Sequence, residues 1–270
     1  MSPTSSKVWF VTGSSRGLGR HFVEAALSRG DRVAATARKS LTELVDTYGD
    51  AVLPLELDVT DKAAVFGAVE QAKEHFGRLD VIVNNAGYGL SGAVEEFTEQ
   101  QLRDQFETNF FGPVWVTQAV LPYLREQGSG HIIQISSVAG LTGFLLGSGY
   151  CASKWALEGL SEGLAQEVAG FGIKVTVVEP GGYATEGLTG GVAATPNPLY
   201  DGQRQALMDY VASVDFDDPA AAGPAILELA DSPNPPLHVF FGQGYELVKQ
   251  AYEDRLKTWA DWQELSLKAI

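Results

Sequence analysis

The stretch KVWFVTGSSRGLG, residues 7–19, joins an apolar run to a glycine-rich turn. The run 7–12 predicts a buried strand, and the 3.6-residue pattern of residues 19–29 predicts a helix. Gly13, Gly17 and Gly19 permit a tight turn whose backbone N–H groups can approach a pyrophosphate at the helix N-terminus. Alone, this G-x-x-x-G-x-G spacing could be only a turn. After the first strand of a series of βαβ units, it favours a dinucleotide-binding site.

The same alternation of strand-length apolar runs and helical segments continues along the chain. It predicts further strands at 31–36, 51–57, 79–83, 131–136, 173–179 and 237–241, and helices at 60–76, 98–126, 150–169 and 219–230. Strands separated by helices of this length form βαβ units and a parallel sheet that is covered on both faces. The sequence therefore predicts one α/β domain over residues 1–270, with a doubly wound sheet of about seven strands.

Three segments depart from this regular pattern. Pro113 lies inside the helical stretch 98–126 and predicts a kink or break, because proline supplies no backbone N–H. The segment 181–203 is rich in Gly, Pro, Thr and Asn, which predicts a mobile lid over the substrate. Residues 243–270 predict a C-terminal helical tail with polar faces.

The composition narrows the range of partners. A formal net charge of −15 argues against nucleic acid or an anionic membrane as partner. No uncharged apolar run is long enough to cross a bilayer. The single Cys151 cannot form an internal disulfide, which favours a reducing, cytoplasmic location. The four histidines do not stand in a metal-ligand spacing, so we predict no metal site.

A second stretch, YCASK at residues 150–154, places a phenol and an ammonium on one helix face. A phenol has an unperturbed pKa of about 10, and a nearby positive charge favours the phenolate and makes proton exchange with an alcohol or ketone easier. On its own, a Tyr and a Lys at this spacing more often mean a packed ring and a solvated amine. Other motifs must decide between these interpretations.

Five ordered motifs together resemble the short-chain dehydrogenase/reductase family. They are the glycine turn, Asn84-Asn85-Ala86-Gly87, Ser137 thirteen residues before Tyr150, Tyr150-x-x-x-Lys154, and Pro180-Gly181-x-x-x-Thr185. They span residues 7–185 and lie at the expected strand ends. The chain is similar to carbonyl reductases and to hydroxysteroid and retinol dehydrogenase-like members. The resemblance implies a Rossmann fold and an oxidoreductase that transfers a hydride between a nicotinamide and a ketone or alcohol.

The resemblance also implies roles for four residues. Tyr150 would give a proton when a carbonyl is reduced and accept one when an alcohol is oxidised. Lys154 would lower the Tyr150 pKa and hold the nicotinamide ribose, while Ser137 would stabilise the substrate oxygen. Asn109 would sit at a helix distortion and complete a proton relay through water, although it could be a satisfied core amide. Ser137 is chosen over Ser136, which might simply end a strand, on the family spacing.

The nucleotide can be argued from the charge at the end of the second strand. An NAD enzyme carries a carboxylate there for the ribose 2′-hydroxyl, but this sequence ends in Ala37 and Arg38. Arg38 and Arg16 together suit a 2′-phosphate, which accepts charge-assisted bidentate contacts. We therefore predict NADP(H). The alternatives are NAD(H) and two solvated surface arginines.

Further contacts to the nucleotide are implied by the resemblance. Asp58, followed by Val59, occupies the place of an acidic residue that contacts the adenine edge, although Asp58 could instead cap the next helix. The predicted cofactor-binding residues are Gly13, Ser15, Arg16, Gly17, Leu18, Gly19, Arg38, Asp58, Val59, Asn85, Ala86, Gly87, Tyr150, Lys154, Pro180, Gly181 and Thr185.

The substrate pocket is expected above the nicotinamide, at the carboxyl ends of the strands. The side chains of Leu141, Phe144, Leu145, Leu146 and Tyr183 predict an apolar substrate face for a small ketone or alcohol. The alternative is that these side chains simply pack beneath the lid.

The resemblance implies a homodimer or homotetramer in which the helices at 98–126 and 150–170 pair with their copies. Phe110, Phe111, Trp115 and Trp155 could supply the apolar interface, or could be buried within one subunit. Two other functions stay open. One is an NAD-dependent alcohol dehydrogenase, and the other is a regulator that senses NADPH without turnover, for which the proton donor Tyr150 would be superfluous.

Overall fold

A seven-stranded parallel sheet forms the centre of the computed structural model, which describes residues 6–184 and 191–270. In chain order the strands of the described residues are β1 Val8–Thr12, β2 Arg32–Ala37, β3 Val52–Glu56, β4 Val81–Asn84, β5 Leu90–Ser91, β6 Gly130–Ile135, β7 Ile173–Pro180, β8 Val192–Ala193 and β9 His238–Phe241. The large sheet has the order β3-β2-β1-β4-β6-β7-β9, and β5 pairs separately with β8. The predicted α/β fold with about seven strands is confirmed.

Helices cover both faces of this sheet. The α-helices of the described residues are α1 Gly17–Ser28, α2 Thr42–Tyr48, α3 Lys62–Phe76, α4 Glu99–Phe106, α5 Gly112–Gln127, α6 Ser148–Val168, α7 Asp201–Ser213, α8 Ala222–Asp231, α9 Tyr245–Asp261 and α10 Gln263–Leu267. Along β1, Val8 and Phe10 pack with α3, α5 and α6 on one face, while Trp9 and Val11 pack with α1 and α8 on the other. All four side chains are fully buried, and each contributes roughly 1.5–3 kcal/mol to stability.

The strand order reverses direction at β1, because the chain first builds outward through β2 and β3 and then returns to place β4 on the opposite side. Such a switch point opens a crevice at the carboxyl ends of the central strands, where open α/β sheets bind their ligands. The glycine turn follows β1, and Asn85 follows β4. The topology therefore brings two of the sequence motifs to the same crevice.

The predicted break in the stretch 98–126 is found between α4 and α5. Residues Glu107–Phe111 form a π-helical turn, and the Gly112 N–H bonds to the carbonyl of Glu107, five residues back. Pro113 lies in the first turn of α5, and because it has no N–H the regular i to i+4 bonding of α4 cannot continue through it. The break places Asn109, which is fully buried, at the distortion.

The described part of the segment 181–203 is more regular than the sequence analysis predicts. Residues 191–203 contain β8 and a 3-10 turn at Pro198–Tyr200, and α7 begins at Asp201. None of the residues of α7 is buried, so this helix adds nothing to the core. Whether the segment is a mobile lid stays a prediction. The predicted cofactor contact at Thr185 lies outside the described residues. In the described part of the chain, no helix is both long and apolar enough to span a membrane.

Candidate active site

The glycine turn is closed by hydrogen bonds between β1 and the residues after β4. The Thr12 Oγ1 accepts from the backbone N–H groups of Asn85 and Ala86, each at 3.0 Å. The Asn85 Nδ2 donates to the carbonyls of Thr12 at 2.9 Å and Gly13 at 3.1 Å. A Cβ on Gly19 would lie 2.3 Å from Asn85 Nδ2 and 2.4 Å from the Gly13 carbonyl oxygen. The turn therefore closes only with glycine at position 19.

The same turn fits the diphosphate of a dinucleotide. Gly13 and Gly17 adopt positive φ angles of 70° and 57°, which L side chains rarely adopt. The helix α1 begins at Gly17, so its first N–H groups and its dipole favour an anion at this point. Ser15 is exposed, while Leu18 packs against the core beneath. A backbone cradle that a Cβ would fill thus lies where the sequence predicts the pyrophosphate.

At the end of β2 the structure places a cation and no carboxylate. Ala37 is buried and Arg38, the next residue, is exposed. Burial raises the pKa of the Tyr88 phenol, Asp104 raises it further, and Arg38 opposes them, so the Arg38 charge lies within electrostatic reach of Tyr88. A positive charge, and no carboxylate, therefore follows β2 where a nucleotide ribose is expected.

Asp58 does not cap the helix that follows it, so that alternative is wrong. Its Oδ1 accepts from the N–H and the hydroxyl of Thr60, and the cap of α3 is Asp61, which accepts from the Ala64 N–H at 3.0 Å. The Asp58 side chain is exposed and Val59 is buried. Contact of Asp58 with an adenine edge stays a prediction.

Ser137, Tyr150 and Lys154 are brought together beyond the end of β6. The Ser137 Oγ accepts from the Ala139 N–H at 3.1 Å, which orients the hydroxyl. Burial raises the pKa of the Tyr150 phenol, and a hydrogen bond with Ser137 lowers it. The influence that favours the Tyr150 phenolate here is thus the Ser137 hydroxyl.

Lys154 is buried one helical turn after Tyr150. Its Nζ donates to the Ile135 carbonyl at 2.8 Å and lies 5.8 Å from the centroid of the Tyr150 ring. Burial lowers the pKa of Lys154 to about 8, while the charge of Glu158 raises it. A Cβ on Gly87 would lie 3.7 Å from the Lys154 Nζ, so the motif after β4 also reaches this group.

The side chain of Asn109 is a satisfied core amide, one of the two roles considered for it. Its Oδ1 accepts from the Tyr88 N–H at 3.1 Å, and its Nδ2 donates to the Tyr88 carbonyl at 3.0 Å and to Ser153 Oγ at 3.1 Å. The residue also lies in the π-helical turn, which is the helix distortion that the resemblance implies. A proton relay from Asn109 through water stays a prediction.

The motif at Pro180 and Gly181 joins the site to the C-terminal part of the chain. The Gly181 N–H donates to the Phe241 carbonyl at 2.9 Å, and a Cβ on Gly181 would lie 1.5 Å from the Gln243 carbonyl oxygen. Glycine at this position is required by close packing against the turn after β9. A contact with the nucleotide stays a prediction for both residues.

The predicted apolar substrate face is only partly found. Leu145 is 49% exposed, and Leu146 adopts a left-handed φ of 55° while its carbonyl accepts from the Gly92 N–H at 2.8 Å. Tyr183, in contrast, is buried in the core cluster with Ile226 and Phe241. Its assignment to the substrate face is wrong, because the chain after β7 turns this ring into the sheet.

An ion pair that the sequence analysis missed fixes the segment 191–213. The Glu96 side chain is buried and pairs with Arg204, whose Nη2 also donates to the Asn197 carbonyl at 2.8 Å. The Ala93 N–H donates to Glu96 Oε2 at 2.7 Å. The hydrogen bond from Arg204 is the main reason that the pKa of Glu96 is lowered to about 2. No local pattern relates two residues that are 108 positions apart.

Comparison with known proteins agrees with this architecture. The model of the family described as short chain dehydrogenase matches residues 7–193. The oxidoreductase BOA17 of Botryotinia fuckeliana (strain B05.10) is 43% identical over 271 residues, covering 97% of this chain and 98% of that protein. The chain therefore belongs to the short-chain dehydrogenase family of oxidoreductases, as its motifs predict.

Solved structures extend the likeness to the whole chain. A short-chain dehydrogenase from Streptomyces avermitilis is 41% identical, with a TM-score of 0.91 over 99% of each chain. A structure of ElxO with NADP bound is 29% identical, with a TM-score of 0.77 over 90% of this chain and 99% of that one. The fold after β7, for which the sequence offered no motif, is thus shared with the Streptomyces protein.

Proposed function

We propose that the protein is an NADPH-dependent carbonyl reductase or secondary alcohol dehydrogenase. The observation that carries the proposal is the placement of Tyr150 and the buried Lys154 on one face of α6, with Ser137 near enough to lower the pKa of the Tyr150 phenol. This group lies beyond the carboxyl end of β6, on the same edge of the sheet as the glycine turn. A proton donor beside a dinucleotide cradle is what carbonyl reduction requires.

The chain's own residues would divide the work as follows. The turn at Gly13, Gly17 and Gly19 would hold the pyrophosphate, and a bound nicotinamide would supply or accept the hydride. The Tyr150 hydroxyl would donate its proton to the substrate oxygen as negative charge builds there. Ser137 would donate a hydrogen bond to the same oxygen. Lys154, charged below its pKa of about 8, would stabilise the phenolate that Tyr150 becomes.

Two observations support NADP(H) as the nucleotide. The first is that the end of β2 carries Arg38 and no carboxylate. A 2′-phosphate would accept charge-assisted bonds from this guanidinium, as would be expected of an NADP enzyme. ElxO, which is similar to this chain, has NADP bound in its solved structure.

The substrate that we propose is a small ketone or alcohol with an apolar body, and the exposed Leu145 supports this. We also propose a homodimer or homotetramer. Phe111 and Trp115 stack at 5.7 Å between centroids and are only half-buried, which suits an interface on α5. A cation covers one face of each tryptophan ring, Lys62 over Trp115 at 4.2 Å and Arg255 of α9 over Trp155 at 4.9 Å. The single Cys151 supports a cytoplasmic location.

Tyr150→Phe tests the proposed chemistry. Removing the hydroxyl removes the proton donor, so kcat for ketone reduction should fall by roughly 10²–10⁴-fold while NADPH affinity stays close to wild type. The measurements are NADPH consumption and fluorescence titration with NADPH. Tyr123→Phe, on α5, is the matched control and should keep full activity. Full activity in Tyr150→Phe would refute the assignment of the proton donor.

A further inference from the structure

A buried polar cluster surrounds Glu158, one helical turn after Lys154 on α6, and the proposed chemistry does not use it. Its members come from four neighbouring elements: Ser136 follows β6, Glu158 lies on α6, Glu179 on β7 and His238 on β9. The strands β6, β7 and β9 are adjacent, so the three strand residues lie side by side beneath α6. Glu158 is 5% exposed and Glu179 is fully buried. Two buried carboxyl groups are costly unless they have partners.

His238 satisfies one of these carboxyl groups. Its Nδ1 donates to Glu179 Oε1 at 2.7 Å and lies farther, 3.6 Å, from Glu158 Oε2. On the solvent side, its Nε2 lies 3.6 Å from Glu162 Oε1. An imidazole and carboxylates can also bind a metal ion. The 2.7 Å between His238 Nδ1 and Glu179 Oε1, however, is a hydrogen-bond distance. Two ligand atoms that each lie about 2.0–2.2 Å from one zinc ion are farther apart than this. His238 and Glu179 are therefore joined by a hydrogen bond.

Glu158 is left without such a partner. Neither of its carboxyl oxygens has a hydrogen-bond partner among the described residues. It lies four residues after Lys154 on α6, so the two side chains share one helix face. The Lys154 Nζ bonds to the carbonyl of Ile135, the residue before Ser136. A Cβ on Gly140 would lie 2.7 Å from Ser136 Oγ and 2.8 Å from Glu158 Oε1, which shows how closely these groups gather.

The charges of the cluster act on Lys154 through Glu158. Burial raises the pKa of Glu158 to about 7. Among its neighbours, Ser136, His238 and Lys154 lower this pKa, and Glu179 raises it. For Lys154, burial lowers the pKa to about 8, and Glu158 is the group whose charge raises it. An ionised Glu158 thus offsets part of the penalty for burying an ammonium.

We propose that Glu158 is a positioning residue that acts through Lys154, and that its carboxylate keeps the buried ammonium charged beside Tyr150. His238 supports this role because its hydrogen bond goes to Glu179, which leaves the buried Glu158 without one and with the Lys154 ammonium one helical turn away. The consequence for activity rests on the proposed function, because a charged Lys154 matters only if Tyr150 must lose and regain a proton. The electrostatic link itself does not depend on turnover.

The test is a titration of Lys154 by nuclear magnetic resonance, using the full chain labelled at the lysine ε-carbon. The Lys154 signal is identified by its loss in Lys154→Arg. In the wild-type protein it should titrate near pH 8. Glu158→Gln removes the neighbouring charge and should lower this pKa by about one unit, while Glu158→Asp should restore part of the difference. Glu167→Gln, an exposed acid on the same helix, is the control and should change nothing.

An unchanged Lys154 titration in Glu158→Gln would overturn the proposal. The pH profile of kcat/KM is the second readout: in Glu158→Gln its basic limb should move to lower pH by the same amount as the Lys154 pKa. A purely structural defect would reduce the rate at every pH without moving the limb. If the protein reduces no carbonyl compound, the proposed function fails, yet the titration still decides whether Glu158 controls Lys154.

Discussion

The glycine turn after β1 is closed by hydrogen bonds between the Thr12 and Asn85 side chains and main-chain groups, whereas the segment 191–213 is tied to the rest of the protein by a short strand pairing and an ion pair. In the turn, the Gly13 carbonyl and the Asn85 amide leave no space for a Cβ on Gly19. The segment 191–213 is held by the two-residue pairing of β5 with β8 and by the ion pair of Glu96 with Arg204. None of the residues of α7 is buried.

This comparison suggests which part of such an enzyme must keep its shape and which part can change: the glycine turn is the first and the segment 191–213 is the second. A dinucleotide presents the same diphosphate to every member, so a cradle of fixed backbone shape serves all of them. A substrate differs from one enzyme to the next, and a segment fixed by a few polar contacts can be replaced without disturbing the sheet. We therefore expect substitutions in the turn to abolish function, and substitutions at the Glu96 anchor to tune it.

Gly19→Ala should give the largest effect. The added methyl group would force apart the Asn85 amide and the Gly13 carbonyl, and such overpacking costs roughly 1–3 kcal/mol. We expect NADPH affinity to fall roughly ten- to hundredfold, measured by fluorescence titration. Gly67→Ala on α3 is the matched control: its Cβ meets nothing within 4 Å, and it should stabilise the protein by about 0.5–1 kcal/mol. Wild-type NADPH affinity in Gly19→Ala would contradict the account of the turn.

Arg38→Asp should give the second largest effect. It measures how much a side chain adds to the NADPH affinity that the glycine turn provides. If the guanidinium binds the 2′-phosphate, NADPH affinity should fall roughly tenfold or more, because a charge-assisted hydrogen bond is replaced by repulsion. NADH affinity should change little, since NADH carries a hydroxyl at that position. Lys39→Asp makes the same change of charge at the next exposed residue and serves as the control. An equal loss for both nucleotides would mean that Arg38 does not read the phosphate.

Arg204→Met should give the smallest effect on catalysis and the clearest effect on the segment 191–213. The substitution leaves Glu96 without its cation, so the segment should open more often, and proteolytic cutting within 191–213 should accelerate by about tenfold. KM for the ketone should rise more than kcat falls. Arg103→Met, which breaks an exposed pair with Glu99, should alter neither quantity measurably. Unchanged proteolysis in Arg204→Met would show that β5 and β8 suffice to hold the segment.

The sequence predicted the sheet well because its strands are short, apolar and separated by helices with an apolar stripe. The spacing of Tyr150 and Lys154 also placed both on one helix face, whereas the choice of Ser137 rested on the resemblance to the family. These signals are local: each depends on residues within a few turns of one another. The π-helical turn at Glu107–Phe111 belongs to the same class, since Pro113 alone indicates it.

The features that the sequence did not reveal depend on contacts between distant residues. Arg204 meets Glu96 only because β5 and β8 pair, and His238 meets Glu179 only because β9 lies beside β7. The sequence analysis predicted no helix at α7, and none of the residues of α7 is buried in the fold. Tyr183 was placed at the substrate because of its motif, but the direction of an aromatic side chain after a strand depends on packing that only the fold defines.

Transfer of deuterium from NADPH labelled at nicotinamide C4 tests the central claim most directly. The purified protein would be incubated with labelled NADPH and a panel of aryl and long-chain ketones, and the products would be analysed by mass spectrometry. We expect deuterium at the carbinol carbon with the wild-type protein and almost none with Tyr150→Phe. If the protein binds NADPH tightly but transfers no deuterium to any ketone of the panel, the account of a carbonyl reductase is contradicted, and a regulator that senses NADPH is favoured.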